Sequence, residues 1–288
     1  MEFTSTVVEG LPYRTVQKLG QGRFGEVFLI SHLRNSDITA VVKILDVEKV
    51  KEEEILEEFH LQRRLSRAGH ENVLNMFWMH RTDEFYHLVM EDVEGDNLAD
   101  RCLRTGRMRP AMAHHLFKQL MAGLKFIHGR GIVHGDIKPH NLLVTKKNLL
   151  KIIDFGAAVL YRLGSQEELI RLKTRTRAFA APEVFTRGTV YKGPPVDIWS
   201  SGVTLLSMLS GGMIWDQADY KIQCYRHWVE RRSTIEWSHI EKPAMHLLRQ
   251  MITNCVARWT MEEIEKSEWM QADYGPIRKI RRKPLEEL

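Results

Sequence analysis

Three glycines in the stretch KLGQGRFGEV constrain the fold of this chain more than any other feature. Their spacing is G-x-G-x-x-G, and they are Gly20, Gly22 and Gly25. Such glycines either follow a strand and open a helix, or link two antiparallel strands that close over phosphates as a flap. Two apolar, β-branched segments follow at 26–31 and 37–45, on either side of the turn signal Asn35-Ser36. No helical period begins at Gly25, so the sequence predicts the strand–turn–strand flap.

Length and composition fit an intracellular globular protein. The chain has 288 residues, of which 43% are apolar and 27% charged, enough for one large domain or two lobes with their own cores. The first residues show no signal-peptide pattern, and the most apolar long stretch, 198–215, is interrupted by serines and glycines. We therefore expect a buried helix there rather than a membrane span. Three cysteines without metal-ligand spacing suit a reducing compartment, so the expected location is the nucleus, the cytoplasm or both.

The net charge of +5 is concentrated in two basic clusters, at 171–177 and 278–283. Such clusters can bind nucleic acid or serve as nuclear addresses, but each can equally be a solvated basic surface. No nucleic-acid-binding fold signature accompanies them. We expect neither direct nucleic-acid binding nor a membrane partner, and the sequence does not indicate an oligomeric state.

The pattern of elements changes once along the chain. Up to about Glu91 it indicates strands with one helix, at 51–65, whose acidic residues crowd the N-terminal end and whose arginines crowd the C-terminal end. A further strand is expected at 85–92, followed by a helix that stops at Gly129 and Gly131. One face of that helix carries Leu116, Leu120, Leu124 and Ile127. The prediction is an α+β, bilobal fold, with a β-rich lobe at 13–91, a helical lobe at 92–272 and a basic tail at 273–288.

A lysine and a glutamate in the first lobe are candidates for holding phosphates. Phosphoryl transfer requires a cation on the phosphates, oxygen ligands for a metal and a carboxylate that orients the attacking hydroxyl. Lys43 lies in the strand segment VVKIL, and Glu58 in the following helix could pair with it. A lone lysine on a strand is usually a solvent-exposed surface residue, so this pair indicates phosphate binding only together with the motifs that follow.

Two polar loops between apolar runs supply the remaining groups. In IVHGDIKPHNLLV, Asp136 would orient the hydroxyl, Lys138 would neutralise the transferring phosphate and Asn141 would hold metal. In LLKIIDFGAAV, Asp154 would be the second ligand, and oxygen ligands of this kind suit Mg²⁺. Two unrelated polar loops are the alternative, but the order of glycine flap, strand lysine, D-x-K-x-x-N and D-F-G makes coincidence negligible.

With these motifs in this order, the chain resembles the eukaryotic protein kinase family over roughly Tyr13 to Trp269. The resemblance implies a bilobal kinase fold, with ATP and Mg²⁺ as cofactors and protein substrates as partners. It implies an adenine pocket near the glycine flap and the lobe junction, with Met90 as gatekeeper and backbone contacts from Glu91 and Val93. The residues expected to bind ATP are Leu19, Gly20, Gly22, Gly25, Val27, Val41, Lys43, Met90, Glu91, Val93 and Leu143.

The resemblance extends to the activation segment. Glu183 of Ala181-Pro182-Glu183 is expected to pair with Arg258, and Asp197 to brace the catalytic loop. Lys138 implies serine/threonine specificity, and Thr176 matches the threonine that ties this segment to the catalytic Asp and Lys. Within the family, stretches such as GPPVDIWSSGV and WDQAD are most similar to the checkpoint kinases, which implies a role in DNA-damage or cell-cycle checkpoint signalling.

Four departures from the family pattern carry expectations. Gly135 replaces the arginine that normally receives an activation-loop phosphate, which argues against activation by that route. Val41 replaces the alanine above the adenine and could tighten the pocket. Arg175 replaces a glycine before Thr176, which could reshape the substrate platform. Carboxylates that bind substrate arginine in relatives are replaced by Asn97, His140 and Ser207.

Two alternatives to an active kinase are open on the sequence alone. A pseudokinase acting as a nucleotide-binding scaffold is supported only by Val41 and Gly135. A dinucleotide-dependent oxidoreductase rests on the glycine spacing alone, and the strands that follow the glycines contradict it.

Overall fold

The N-terminal part of the computed structural model is an antiparallel five-stranded sheet with the order β1-β2-β3-β5-β4. The structure describes residues 6–21, 25–172, 176–186 and 188–275. Gly22, Arg175 and the basic cluster at 278–283 therefore lie outside the described residues. The strands are β1 (Tyr13–Gln21), β2 (Gly25–His32), β3 (Asn35–Asp46), β4 (Met76–Arg81) and β5 (Phe85–Met90). The predicted β-rich first part and the α+β class are confirmed.

The strands around the glycine stretch pair as the sequence predicts, but the next turn does not fall where expected. β1 and β2 are antiparallel, with Gly20 opposite Val27. The turn between β2 and β3 is at residues 33–34, whereas Asn35 and Ser36 already belong to β3, so the predicted turn position is wrong. The Asn35 side chain accepts a hydrogen bond from the Asp37 N–H at 3.0 Å. This local hydrogen bond satisfies the Asn35 side-chain oxygen at the end of the strand. It explains why a residue type that favours turns lies outside the turn.

One helix, α1 (Glu52–Ala68), packs on this sheet. Its buried residues Ile55, Glu58, Leu61, Gln62 and Leu65 follow a helical spacing of three or four. Three glutamates occupy the first turn and Arg67 the last, which stabilises the helix through its dipole, as the sequence indicates. Because Glu58 belongs to the buried face, the helix points this carboxylate at the sheet.

The rest of the chain is largely helical and holds the main hydrophobic core. The face of α3 predicted from its leucines is fully buried, and the helix ends at Gly129 as expected. α4 is buried along most of its length, as predicted for that apolar stretch, although it covers 193–210 rather than reaching Trp215. The helices are α2 (Leu98–Thr105), α3 (Pro110–Gly129), α4 (Gly193–Ser210), α5 (Gln223–Val229), α6 (Lys242–Met251), α7 (Met261–Glu265) and α8 (Glu268–Gln271). Among the described residues, none of the helices combines the length and apolarity that crossing a membrane requires.

Short strands fix the loops between the two parts. They form three small antiparallel sheets, β6-β8-β9, β7-β10 and β11-β12. Their bounds are β6 (Gly95–Asn97), β7 (Ile132–Val133), β8 (Leu142–Thr145), β9 (Leu150–Ile152), β10 (Val159–Leu160), β11 (Arg162–Leu163) and β12 (Gln166–Glu167). The change from sheet to helices falls after Met90, and the division into lobes at 91/92 stays a prediction.

Candidate active site

Lys43 and Glu58 form an ion pair between the sheet and α1. Lys43 Nζ lies 2.7 Å from Glu58 Oε1 and 3.7 Å from Asp154 Oδ1. The Glu58 side chain is 9% exposed and that of Asp154 is 47% exposed. The lysine thus bridges a buried carboxylate, which holds it in place, and an accessible one at the cleft. This arrangement places the Lys43 charge at the cleft, where the sequence predicts a phosphate.

Asp154 carries its charge at neutral pH and lies at a strained backbone position. Desolvation is the largest single effect and raises the pKa of this carboxyl, but Lys43, His134, the Gly156 N–H and Lys138 together outweigh it and hold the pKa below its ordinary value. The Asp154 φ angle is 63°, which is uncommon for a residue other than glycine. The next residue, Phe155, is buried with its ring 5.0 Å from that of His134. This buried ring fixes the turn that points the Asp154 carboxylate at the cleft.

The catalytic loop brings together four polar residues predicted from the sequence. Lys138 Nζ donates to Asp136 Oδ2 and to Thr176 Oγ1, both at 2.7 Å. Asn141 Nδ2 donates to the Asp136 carbonyl oxygen at 2.9 Å and to Oδ2 of the same residue at 3.1 Å. Asp136 is therefore held in place by one cation and one amide, while Thr176 links the activation segment to the same lysine.

Asp197 braces this loop from inside α4. It is fully buried, and its carboxylate accepts hydrogen bonds from the backbone N–H groups of His134 at 2.8 Å and Gly135 at 2.9 Å. His128 Nε2 lies 2.8 Å from the same carboxylate. Burial raises the pKa of Asp197, but the contacts with His128 and the loop lower it more, so the group stays ionised. The charge thus fixes the backbone that precedes Asp136.

Asn141 and Asp154 fit a site for a divalent metal ion. Both hydrogen bonds of the Asn141 side chain in the described structure use its nitrogen, so its side-chain oxygen can ligate. Asp154 adds an ionised, accessible carboxylate. The described residues contain no group of three or more His, Cys, Asp or Glu side chains that could enclose a metal. Two oxygen donors next to an open cleft match Mg²⁺, which takes few protein ligands and completes its shell with water and phosphate oxygens.

Four of the residues proposed to contact adenine lie in one hydrophobic cluster. Val41 and Met90 are opposite one another on β3 and β5, and Val27 and Val93 pack against the same cluster. Leu143 is half-buried on β8, opposite Lys151. Within the described residues, no hydrogen bond engages the Val93 N–H or the Glu91 carbonyl oxygen. These backbone groups can therefore bind the edge of a planar, apolar ligand.

The glycine stretch contributes differently at each position. A Cβ atom on Gly25 would lie 1.9 Å from the Ile44 carbonyl oxygen, so the close approach of β2 to β3 requires glycine there. Around Gly20 nothing lies within 4 Å, which leaves its backbone accessible to a ligand. Leu19 is 49% exposed above the cleft. Strand packing thus explains why residue 25 is a glycine, but it does not explain the glycine at position 20.

A buried ion pair at the lobe junction is absent from the sequence predictions. Lys151 Nζ lies 2.7 Å from Glu91 Oε1, and only 8% of the lysine side chain is exposed. Asn75 donates to the same carboxylate from its side chain at 3.0 Å, and the Glu91 N–H donates to the Asn75 carbonyl at 2.9 Å. The signal available in the sequence is a lysine inside the apolar strand LLKIID, where an unpaired charge would be costly.

The activation segment ends on a second buried pair. Arg258 Nη1 lies 2.6 Å from Glu183 Oε1, and Nη2 lies 3.1 Å from Oε2, which gives a bidentate contact. The guanidinium also donates to the Pro195 carbonyl at 2.8 Å and lies 5.0 Å from the centroid of a ring of Trp199. The structure thus brings together the two residues that the sequence pairs, at the start of α4.

The three positions that replace carboxylates are not equivalent. Ser207 is buried in α4 and donates to the Thr204 carbonyl at 2.8 Å, so it does not face a substrate. His140 is exposed, and Asn97 caps α2 through the Asp100 N–H. Asn97 Nδ2 also donates to the exposed Asp100 carboxylate at 2.6 Å. The sequence analysis did not predict a role for Asp100. Its position in the first turn of an amphipathic helix is the feature that could have identified it.

Comparisons with known proteins agree with this geometry. A family model described as the protein kinase domain matches residues 13–270. The chain is similar to the serine/threonine-protein kinase chk-1 of Caenorhabditis elegans, with 42% identity over 279 residues, which cover 95% of this chain and 55% of that protein. It is 38% identical to chk-1 of Caenorhabditis briggsae, over 95% of this chain and 56% of that protein. It is 30% identical to the serine/threonine-protein kinase grp of Drosophila melanogaster, over 94% and 53%. The chain spans about half the length of these curated relatives.

Proposed function

Because the chain belongs to the protein kinase family, we propose that it is an active serine/threonine kinase, which transfers the γ-phosphoryl group of ATP to hydroxyl groups of proteins. The observation that carries the proposal is the hydrogen-bonded array of Asp136, Lys138, Asn141 and Thr176. It joins a fixed carboxylate, a cation and the activation segment in one place, as in-line transfer requires.

Each charged group has a separate task in the proposed reaction. Lys43, held by Glu58, binds the α- and β-phosphates, and Lys138 neutralises the group in transit. Asp136 accepts the hydrogen bond of the substrate hydroxyl and takes its proton as the new O–P bond forms and the bond to ADP breaks. Members of the family use ATP with a divalent metal ion. For this chain we propose Mg²⁺ on Asn141 and Asp154, which would neutralise phosphate charge.

Serine/threonine specificity is tested with matched peptides. Peptides identical except for serine, threonine or tyrosine at the acceptor position are incubated with labelled ATP and Mg²⁺. Incorporation into the serine and threonine peptides, with less than about a tenth as much into tyrosine (roughly 1.4 kcal/mol of discrimination), supports the proposal. Equal or preferred labelling of tyrosine contradicts it.

We propose a role in checkpoint signalling on the basis of the similarity to chk-1 and grp and of the stretches shared with checkpoint kinases. Cells that lack the protein should fail to delay division after DNA damage, and the unaltered chain should restore the delay. The Asp136→Asn variant should not restore it. Normal arrest in the deleted cells would contradict this role. The proposed location is the nucleus, the cytoplasm or both, and a tagged chain confined to the secretory pathway would refute it.

A further inference from the structure

The space beside Gly135 is already filled. This residue has a φ angle of +76°, which L side chains rarely adopt. A Cβ atom there would lie 2.6 Å from the Ala157 carbonyl oxygen and 2.9 Å from Leu172 Cδ2. The packing of the loop against Leu172 of the activation segment therefore requires a glycine at position 135.

Neutral contacts hold this leucine in place. Leu172 is 7% exposed and belongs to the main hydrophobic core. Its backbone N–H donates to the Tyr191 hydroxyl at 2.8 Å. Two residues earlier, Ile170 exchanges two backbone hydrogen bonds with Tyr191, at 2.9 and 3.1 Å. Ile170 and Leu172 are thus fixed by apolar packing and three hydrogen bonds to Tyr191.

The same segment reaches the reacting groups four residues later. Thr176 accepts the hydrogen bond from Lys138, which also contacts Asp136. Chain connectivity limits how far Thr176 can move once Leu172 is fixed, since four residues span at most about 14 Å. Leu172 and Thr176 therefore anchor the activation segment on either side of residues 173–175.

We propose that Leu172 is a positioning residue, whose packing on Gly135 holds the activation segment in a transfer-competent arrangement without a phosphate. The inference rests on the proposed kinase function and names its regulation. Leu172 acts through Thr176 and Lys138 and touches no reacting atom.

The test compares substitutions at Leu172 with one at an exposed leucine nearby. Leu172→Asn, which places a polar group in the apolar site, should lower kcat by roughly ten- to a hundredfold through misplacement of the transfer groups. The KM for ATP should stay within about twofold. Leu172→Met, which conserves volume, should retain most of the activity. Leu169→Ala, at a position that is 58% exposed, is the matched control and should behave like the parent.

Two further measurements keep the inference separate from the kinase assignment. Phosphatase treatment of the unaltered chain should leave its rate unchanged, and a large loss would overturn the inference. Amide hydrogen exchange at Ile170 and Tyr191, which needs no turnover, should speed up in Leu172→Asn and not in Leu169→Ala. If the parent transfers no phosphate, the proposed function fails, whereas unchanged kcat and unchanged exchange in Leu172→Asn contradict the anchor itself.

Discussion

Two charged side chains at the cleft, Lys43 and Asp154, are proposed to hold the phosphates and the metal ion, and their removal should stop the reaction. Lys43→Ala deletes the cation placed on the phosphates, and Asp154→Asn deletes the carboxylate proposed to hold the metal ion that neutralises them. We expect each to lower kcat by about 10²- to 10³-fold, the usual effect of losing one such group. Circular dichroism and thermal unfolding should show an intact fold. Residual activity within about tenfold of the parent (roughly 1.4 kcal/mol) would refute these roles.

Asp197 should make the stability of the fold depend on pH in the acid range. Its pKa is lowered in the folded state from an ordinary value of 3.8, so its charge stabilises the fold fully above pH 3.8. That stabilisation is lost as the pH falls from 3.8 towards the folded pKa. The free energy of urea unfolding should therefore fall less steeply below pH 4 in Asp197→Asn than in the parent. Parallel curves would contradict the assignment.

At the scale of elements, the lobe junction depends on the Glu91–Lys151 ion pair. Lys151→Met leaves a partly buried carboxylate without its cation on the segment proposed to bind adenine. We expect the KM for ATP to rise on the order of tenfold, since a hydrogen bond to a charged group contributes about 1.5–3 kcal/mol. The matched control is Lys146→Met, whose lysine is 82% exposed and pairs with exposed Glu94. Equal effects of the two substitutions on the KM for ATP would show that the buried ion pair does not contribute to ATP binding.

The sequence predicted elements and local roles better than contacts between elements. Lys43, Asp136 and Asp154 could be predicted because short motifs fix their neighbours. Glu58 was predicted only as a possible partner of Lys43, and the structure places it on the buried face of α1. The partner of Lys151 was not accessible, because it lies 60 residues away across the lobe junction. The burial of Ser207 was missed for the same reason, since only the packing of α4 determines which of its serines reach solvent.

At the scale of the whole molecule, we expect the substrate to meet a surface with few unpaired carboxylates. Asp96 pairs with Arg104 at 2.6 Å, and Asn97 stands where arginine-directed relatives have an acid. Arg171 and Arg177 add positive charge along the activation segment. We therefore expect a weaker arginine preference than in checkpoint kinases, with tolerance of acidic residues near the phosphosite.

A positional-scanning peptide library measures this preference directly. Dominant selection for arginine three residues before the phosphosite would contradict the expectation. In that case Asp100, beside Asn97, is the carboxylate to examine, and Asp100→Asn would abolish the selection. Unchanged selection in that variant would place the arginine contact elsewhere.

The two parts of the molecule are joined by more than the segment after β5. Residues 72–74 add a short parallel bridge to β9, with Leu74 N–H donating to the Ile152 carbonyl at 3.0 Å and Ile152 N–H to the Asn72 carbonyl at 2.8 Å. Asn72 also donates from its side chain to the Leu150 carbonyl at 2.8 Å. The base of α1 is thereby tied to the strand that leads to Asp154, which keeps Glu58, Lys43 and Asp154 in register.

The most direct test of the central claim is a single-turnover measurement with labelled ATP, Mg²⁺ and a serine peptide, on the parent and on Asp136→Asn. Nucleotide affinity is measured on both proteins under the same conditions. An active kinase predicts transfer by the parent, a loss of at least about 10²-fold in the variant, and ATP affinities that agree within about threefold (roughly 0.7 kcal/mol). A parent that binds ATP with Mg²⁺ but transfers no phosphate, or a variant as fast as the parent, would contradict the account.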